Sequence, residues 1–166
     1  MRGGMGASLI PAGELLWEDE YLLTKTPVKL SGGLSPFLGW RLGRYFSAGA
    51  ELQFLWLSAG EAERRLLVRP HGRARASFPL DCRWSVTGLF GTGPTLWSEW
   101  RGVQDEARRA RRWGWGFRFA FGFEFKLNRE VTLGLTGGLL QESSWGDEVD
   151  GELGLYPIEF SLAAQL

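Results

Sequence analysis

Cysteine is almost missing from this chain. Cys82 stands alone, which excludes an internal disulfide, a paired-thiol zinc site and a small disulfide scaffold. Long apolar runs are missing too: no stretch reaches the roughly 18 residues that a membrane-spanning helix needs. There is no excess charge of either sign, because 19 basic residues balance 19 acidic ones. No global field therefore favours nucleic acid, and none is expected as a partner. Histidine occurs once, as His71. Gly-x-Gly fragments such as Gly91-Thr92-Gly93 have no strand–loop–helix context, so nucleotide binding is not supported. Met1-Arg2-Gly3-Gly4 lacks the apolar core of a secretory signal, so an exported protein is expected here in its mature form.

Glycine (24) and tryptophan (9) are plentiful in the 166 residues, both high for a soluble domain. That length suits one domain, expected to span residues 1–166.

The aromatic residues are arranged with a period of two. Trp113, Trp115, Phe117, Phe119, Phe121, Phe123 and Phe125 alternate with Gly114, Gly116, Arg118, Ala120, Gly122, Glu124 and Lys126. Such alternation describes a strand with one aromatic face and one small or charged face. Seven large aromatics in a row are hard to keep in water, whereas glycines and ions suit a narrow polar interior. A face pattern that is greasy outside and polar inside belongs to a strand of a membrane barrel.

The same pattern recurs along the chain. Val28, Leu30, Leu34, Leu38 and Trp40 oppose Lys29, Ser31, Ser35 and Phe37. Phe46, Ala48, Ala50, Leu52, Phe54 and Trp56 oppose Ser47, Gly49, Glu51 and Gln53. Strands are likewise expected near residues 65–78, 84–91, 131–139 and 156–166, with a weaker one at Met5, Ala7 and Leu9. The count is eight, and closure of eight strands leaves no open edge in lipid. The expected fold is thus all-β: an eight-stranded antiparallel up-and-down transmembrane barrel.

Short turns are expected near Arg41–Tyr45, Pro79–Arg83 and Lys126–Glu130, with long links near 12–26, 58–64, 96–112 and 141–154. In bacterial outer-membrane barrels the short turns are periplasmic, which would place both termini there. Charge separates the two faces. The seven clearest strands carry no Asp, Glu, Lys or Arg on the lipid face, while Lys29, Glu51, Arg69, Arg73, Arg75, Arg118, Glu124, Lys126 and Glu159 fall on the other. An Arg or Lys facing lipid at mid-depth costs about 2–4 kcal/mol. Trp40 and Trp84 near one rim, and Trp56 and Trp113 near the other, suit two interfacial aromatic belts.

On these features the chain resembles the small eight-stranded outer-membrane barrels of the outer-membrane protein A and X type. The resemblance implies an integral barrel in the bacterial outer membrane, in contact with outer-membrane lipid and lipopolysaccharide. It also implies that Tyr156–Leu166 is a terminal signal read by the barrel-assembly machinery during insertion. Leu166 departs from the family's usual terminal aromatic.

The candidate lumen network comprises Glu51, Arg69, His71, Arg73, Arg75, Arg118, Glu124 and Glu159. Buried charges demand partners and eight strands leave a narrow bore, so Arg69, Arg73 and Arg75 are expected to pair with Glu51, Glu124 and Glu159 and plug it. An anion conduit is the competing reading of the same stripe, which also includes Arg65. Lipid-facing candidates are Phe54, Trp56, Trp113, Trp115, Phe117, Phe119, Phe121, Phe123, Phe125 and Phe160. Arg108, Arg109, Arg111 and Arg112 are loop candidates for binding phosphates of lipopolysaccharide, against the plainer reading of a solvated, briefly helical loop. Acidic residues from Glu14 to Glu20 and from Glu142 to Glu152 are assigned to the first and fourth loops, with no EF-hand spacing.

Barrel enzymes that remodel lipid A use a His with a Ser, and no such motif surrounds His71. No catalytic residue, cofactor or metal is expected. The leading expectation is a non-enzymatic barrel serving envelope structure, surface recognition or docking to an envelope protein partner. The alternatives are a narrow passive pore and a soluble lipocalin-like barrel whose aromatic face lines a cavity for a small hydrophobic ligand.

Overall fold

A computed structural model describes residues 1–19, 22–59, 63–101, 108–145 and 150–165. Every regular element in it is a strand: β1 (Arg2–Ile10), β2 (Gly13–Asp19), β3 (Leu22–Pro27), β4 (Ser31–Arg41), β5 (Phe46–Ala59), β6 (Glu63–Pro79), β7 (Trp84–Arg101), β8 (Arg108–Lys126), β9 (Val131–Trp145), β10 (Asp150–Leu155) and β11 (Ile158–Gln165). All pairings are antiparallel. β1 pairs with both β4 and β11, β11 pairs with β9, and β4 to β9 pair in chain order. The lower section is therefore a closed ring of eight strands, with no free edge to satisfy.

Three of the eight staves are broken. β1 continues into β2 across Pro11-Ala12, β3 into β4 across Val28–Leu30, and β10 into β11 across Tyr156-Pro157. Backbone bonds stitch the breaks: Val28 N–H to Gly13 O (2.9 Å), Lys29 N–H to Ser58 O (2.8 Å) and Tyr156 N–H to Ala12 O (3.1 Å). Across the first break the buried side chains shift from Ser8 and Ile10 to Gly13 and Leu15, so an extra residue flips which face points inward. The same device corrects an expectation from the sequence. Val28 is buried and Lys29 exposed, the reverse of strict alternation through residues 28–40.

The breaks mark a change of polarity. Below them the exterior is apolar: Phe121 is 70% exposed and Trp113 is 65% exposed. From Trp113 to Phe125, β8 rises about 40 Å along its axis, or about 29 Å across a membrane at a tilt near 45°. That matches a hydrocarbon core. Above the breaks the rule is reversed. Ile10, Leu15, Val28, Leu55, Leu57, Leu67, Leu140, Leu153 and Leu155 pack inward in one cluster with Trp97. Glu14 and Glu152 face out. In water, burying these leucines is worth roughly 1.5–3 kcal/mol each.

Strands also run further than expected. β7 and β8 have 18 and 19 residues, against the roughly 9–11 that a tilted strand needs to cross lipid. Much of the links expected at 96–112 and 141–154 is therefore strand, with Trp97↔Arg112 and Gly151↔Ser144 in register. Arg108, Arg109, Arg111 and Arg112 belong to β8, not to a helical loop. Short turns at residues 42–45, 80–83 and 127–130 join the strands at the opposite rim, beside the Arg2↔Gln165 pair. Asp81 caps one of them, accepting from Arg83 N–H and Trp84 N–H at 2.6 Å each.

Candidate functional site: a closed lumen with one open mouth

The inward faces bring the ionic side chains into three layers. The middle layer is centred on Arg118, which is 1% exposed. Its guanidinium donates to Glu51 Oε1 at 2.8 Å and to Glu159 Oε2 at 3.0 Å, joining β8 to β5 and β11. Glu159 also accepts from Ser8 (3.3 Å) and Ser35 (3.1 Å). The other Glu51 oxygen accepts from Arg73 at 3.1 Å, and Arg73 rests 4.1 Å above the Phe37 ring. His71 Nε2 lies 3.7 Å from the same oxygen. Its Nδ1 lies 3.2 Å from the Arg69 carbonyl, a geometry that suits a proton on Nδ1. Gly91 leaves room for the imidazole: a Cβ there would sit 2.7 Å from His71 Cδ2.

The upper layer pairs Arg69 with Glu142, both completely enclosed. Arg69 also donates to Gln53 Oε1 at 2.8 Å, and the Thr95 hydroxyl and Trp97 indole border Glu142. Gly116 faces this pair, and a Cβ there would lie 2.7 Å from Arg69 Nη2 and 2.8 Å from Glu142 Oε1. Gly116, opposite the aromatic row, is thus space for a buried ion pair. The apolar cluster lies above this layer and closes the bore a second time.

The lower layer pairs Arg75 with Glu124. Arg75 Nε also donates to Thr87 Oγ1 at 3.1 Å, and Arg2 approaches the second Glu124 oxygen at 3.5 Å. Below it the lumen opens at the short-turn rim into a cavity of ≈ 790 Å³ bordered by Arg2, Arg73, Arg75 and Lys126.

All eight lumen candidates face inward, but the partner expected for Arg69 is not the one found. Glu142 takes that place, although its position in the sequence suggested a loop. The inward parity runs on past Leu139, with Leu140, Glu142 and Ser144 buried and Gln141 and Trp145 exposed, although the apolar alternation of the sequence ends there. Of the lipid-facing candidates, Trp56, Trp113, Trp115, Phe117, Phe119, Phe121, Phe123 and Phe160 are exposed, while Phe54 and Phe125 are half-covered by neighbours. The side chains of Arg108, Arg109 and Arg111 lie outside the described residues, as do Asp105 and Glu106. Among the described residues no group of three or more His, Cys, Asp or Glu is placed to hold a metal.

With the aromatic row on the exterior and paired ions inside, the barrel is the inverse of a lipocalin, whose cavity wall is apolar. No sequence-family model matches the chain, and no curated protein matches it significantly. Its structural likenesses are to barrels of the outer membrane. Neisserial surface protein A superposes with a TM-score of 0.55 at 11% identity, over 99% of this chain and 97% of that one. The outer membrane protein OprG from Pseudomonas aeruginosa gives 0.50 at 12% identity, over 98% and 93%. The outer membrane protease OmpT from Escherichia coli gives 0.50 at 6% identity, over 99% and 93%. These likenesses, like the closed ring and its apolar girdle, are of fold: the chain is an eight-stranded antiparallel barrel of the small outer-membrane type.

Proposed function

We propose that this protein is a non-enzymatic integral barrel of the bacterial outer membrane. It works through the rim formed by its extended hairpins, in surface recognition or in docking to an envelope protein partner. The observation that carries this reading is the double closure of the lumen. Paired ions fill the bore, and an apolar cluster seals it above. A narrow bore packed with paired ions disfavours a pore. What is left for function is the surface raised above the lipid.

The barrel is proposed to sit with its short turns and both termini in the periplasm, which follows the usual placement of short turns. Contact with lipopolysaccharide at the outer aromatic belt, and insertion by the barrel-assembly machinery, belong to the same reading.

The test is small-solute flux through liposomes carrying the refolded protein, together with labelling of Cys82. Flux is expected to equal that of protein-free liposomes; steady sugar-permeable conductance would refute the closed lumen. Cys82 is exposed in a short turn. A membrane-impermeant maleimide is expected to reach it only after the outer membrane is permeabilised, and labelling on intact cells would reverse the orientation.

A further inference from the structure

The neutral net charge of the chain conceals a separation. Eight basic side chains and two acidic ones border the open cavity at the short-turn rim. Its floor is the lower ionic layer, where Arg2 and Arg75 share a single carboxylate, Glu124. Like charge bears on Arg75 from Arg2, Arg73 and Arg41. Arg41 and Lys126 have no carboxylate within ion-pair distance among the described residues. Two guanidinium groups that border the cavity are already held in place, Arg75 by Thr87 and Glu124 and Arg73 by Glu51 and the Phe37 ring. Fixed, planar guanidinium groups around a partly water-excluded hollow are well suited to the tetrahedral oxygens of phosphate. The volume, ≈ 790 Å³, lies in the range of small-molecule sites.

We infer that this mouth is a binding site for a small phosphate-bearing anion, held by Arg2, Arg41, Arg73, Arg75 and Lys126. The anion supplies the counter-charge that Glu124 and Glu130 leave incomplete. The inference goes beyond the proposed role of the outer rim and does not depend on it. With the short turns in the periplasm, the site faces that compartment and is closed to the outside by the layers above.

The experiment is calorimetric titration of inorganic pyrophosphate into the full chain in zwitterionic detergent at low salt, with Arg41→Ser/Lys126→Ser and Arg64→Ser as variants. Arg41 and Lys126 lie at the rim and outside the buried layers, and Arg64 is exposed on β6 near the opposite rim. Saturable binding near one per barrel is expected. The double variant should weaken it roughly tenfold or more, and Arg64→Ser should leave it unchanged. Retained barrel mobility on unheated gels would confirm that each variant folds.

A second arm replaces pyrophosphate with phosphatidic acid doped into the micelles. Binding of pyrophosphate alone identifies a soluble phosphate ligand. Binding of phosphatidic acid alone, lost in the same double variant, identifies a lipid headgroup of the same chemistry. The inference is overturned by no saturable binding in either arm, by equal binding in the double variant, or by equal loss in Arg64→Ser. Saturable binding of an acidic peptide in place of either phosphate probe would also overturn it.

Discussion

Replacing Arg118 with methionine tests whether the lumen network holds the barrel together. The substitution keeps most of the side-chain length and removes the only cation within ion-pair distance of Glu159 among the described residues. Two carboxylates are then left in the closed bore, each almost wholly buried. Breaking a buried pair by removing one partner costs about 3–5 kcal/mol, because the remaining charge is uncompensated. Glu51 keeps Arg73 at 3.1 Å, and Glu159 keeps the hydroxyls of Ser8 and Ser35, which argues for the lower end, about 3 kcal/mol. Equilibrium urea unfolding in lipid vesicles, followed by tryptophan fluorescence, measures the loss. Adding Glu159→Gln to Arg118→Met removes one orphaned charge and should recover about 1–2 kcal/mol. A single variant within about 0.5 kcal/mol of wild type, or a double variant no better than the single one, would refute the account.

The exterior, the glycines and the turns make their own commitments. Phe121→Arg puts a cation at mid-girdle, 70% exposed in the native residue. It should cost about 2–4 kcal/mol in vesicles and slow insertion; a neutral result by the same unfolding assay would contradict the lipid assignment. Gly116→Ala drives a methyl into the Arg69–Glu142 pair and should cost about 1–3 kcal/mol, read as a lowered urea midpoint with unchanged slope. At the surface, two backbone N–H donors hold the Asp81 carboxyl below its ordinary value. A depressed carboxylate stabilises the turn above its unfolded pKa, about 3.9, and that support is lost as pH falls through the lower folded value. Protection of the Trp84 amide from hydrogen exchange should therefore fall at acid pH in wild type. Asp81→Ala should show the acid-like level throughout, and pH-independent protection in wild type would count against the cap.

The membrane section was legible because lipid imposes a rule on every second residue. Phe117 to Phe125 face hydrocarbon, so none of those positions tolerates an ion, and period-two alternation follows. Above the girdle that constraint ends. Ser98 and Arg112, in strands beyond the apolar belt, meet water, and their sequence reads like any polar link. The 96–112 and 141–154 hairpins therefore looked like loops. Glu142 was hidden for the same reason, standing where alternation loses its apolar partner residues. Leu15 and Val28 of the inverted cluster were illegible because breaks such as that at Pro11-Ala12 change the parity between the two sections. Leu57, Leu153 and Leu155 keep the parity of Glu51 and Glu159, and were hidden because the inner wall there turns from ionic to apolar. The local mark that the sequence offers is a proline beside each break, Pro11, Pro27 and Pro157. The pairing of Arg69 with Glu142 also needed the sheet, since 73 positions separate residues 69 and 142.

The reversal of polarity partway up the barrel sets the height of the molecule. Sinking by two residues would draw Glu152 and its neighbours into hydrocarbon, and rising by two would lift Phe117 and Trp115 into headgroups and water. Either displacement is resisted around the whole circumference, so the protein has one vertical position in the bilayer. The section above that position is a small water-type core wrapped in paired strands. Its described strands, β2, β3, β10 and the upper parts of β5 to β9, are therefore carried at a fixed height above the lipid surface. That height is decided by where the apolar cluster takes over from the ion pairs on the inner wall.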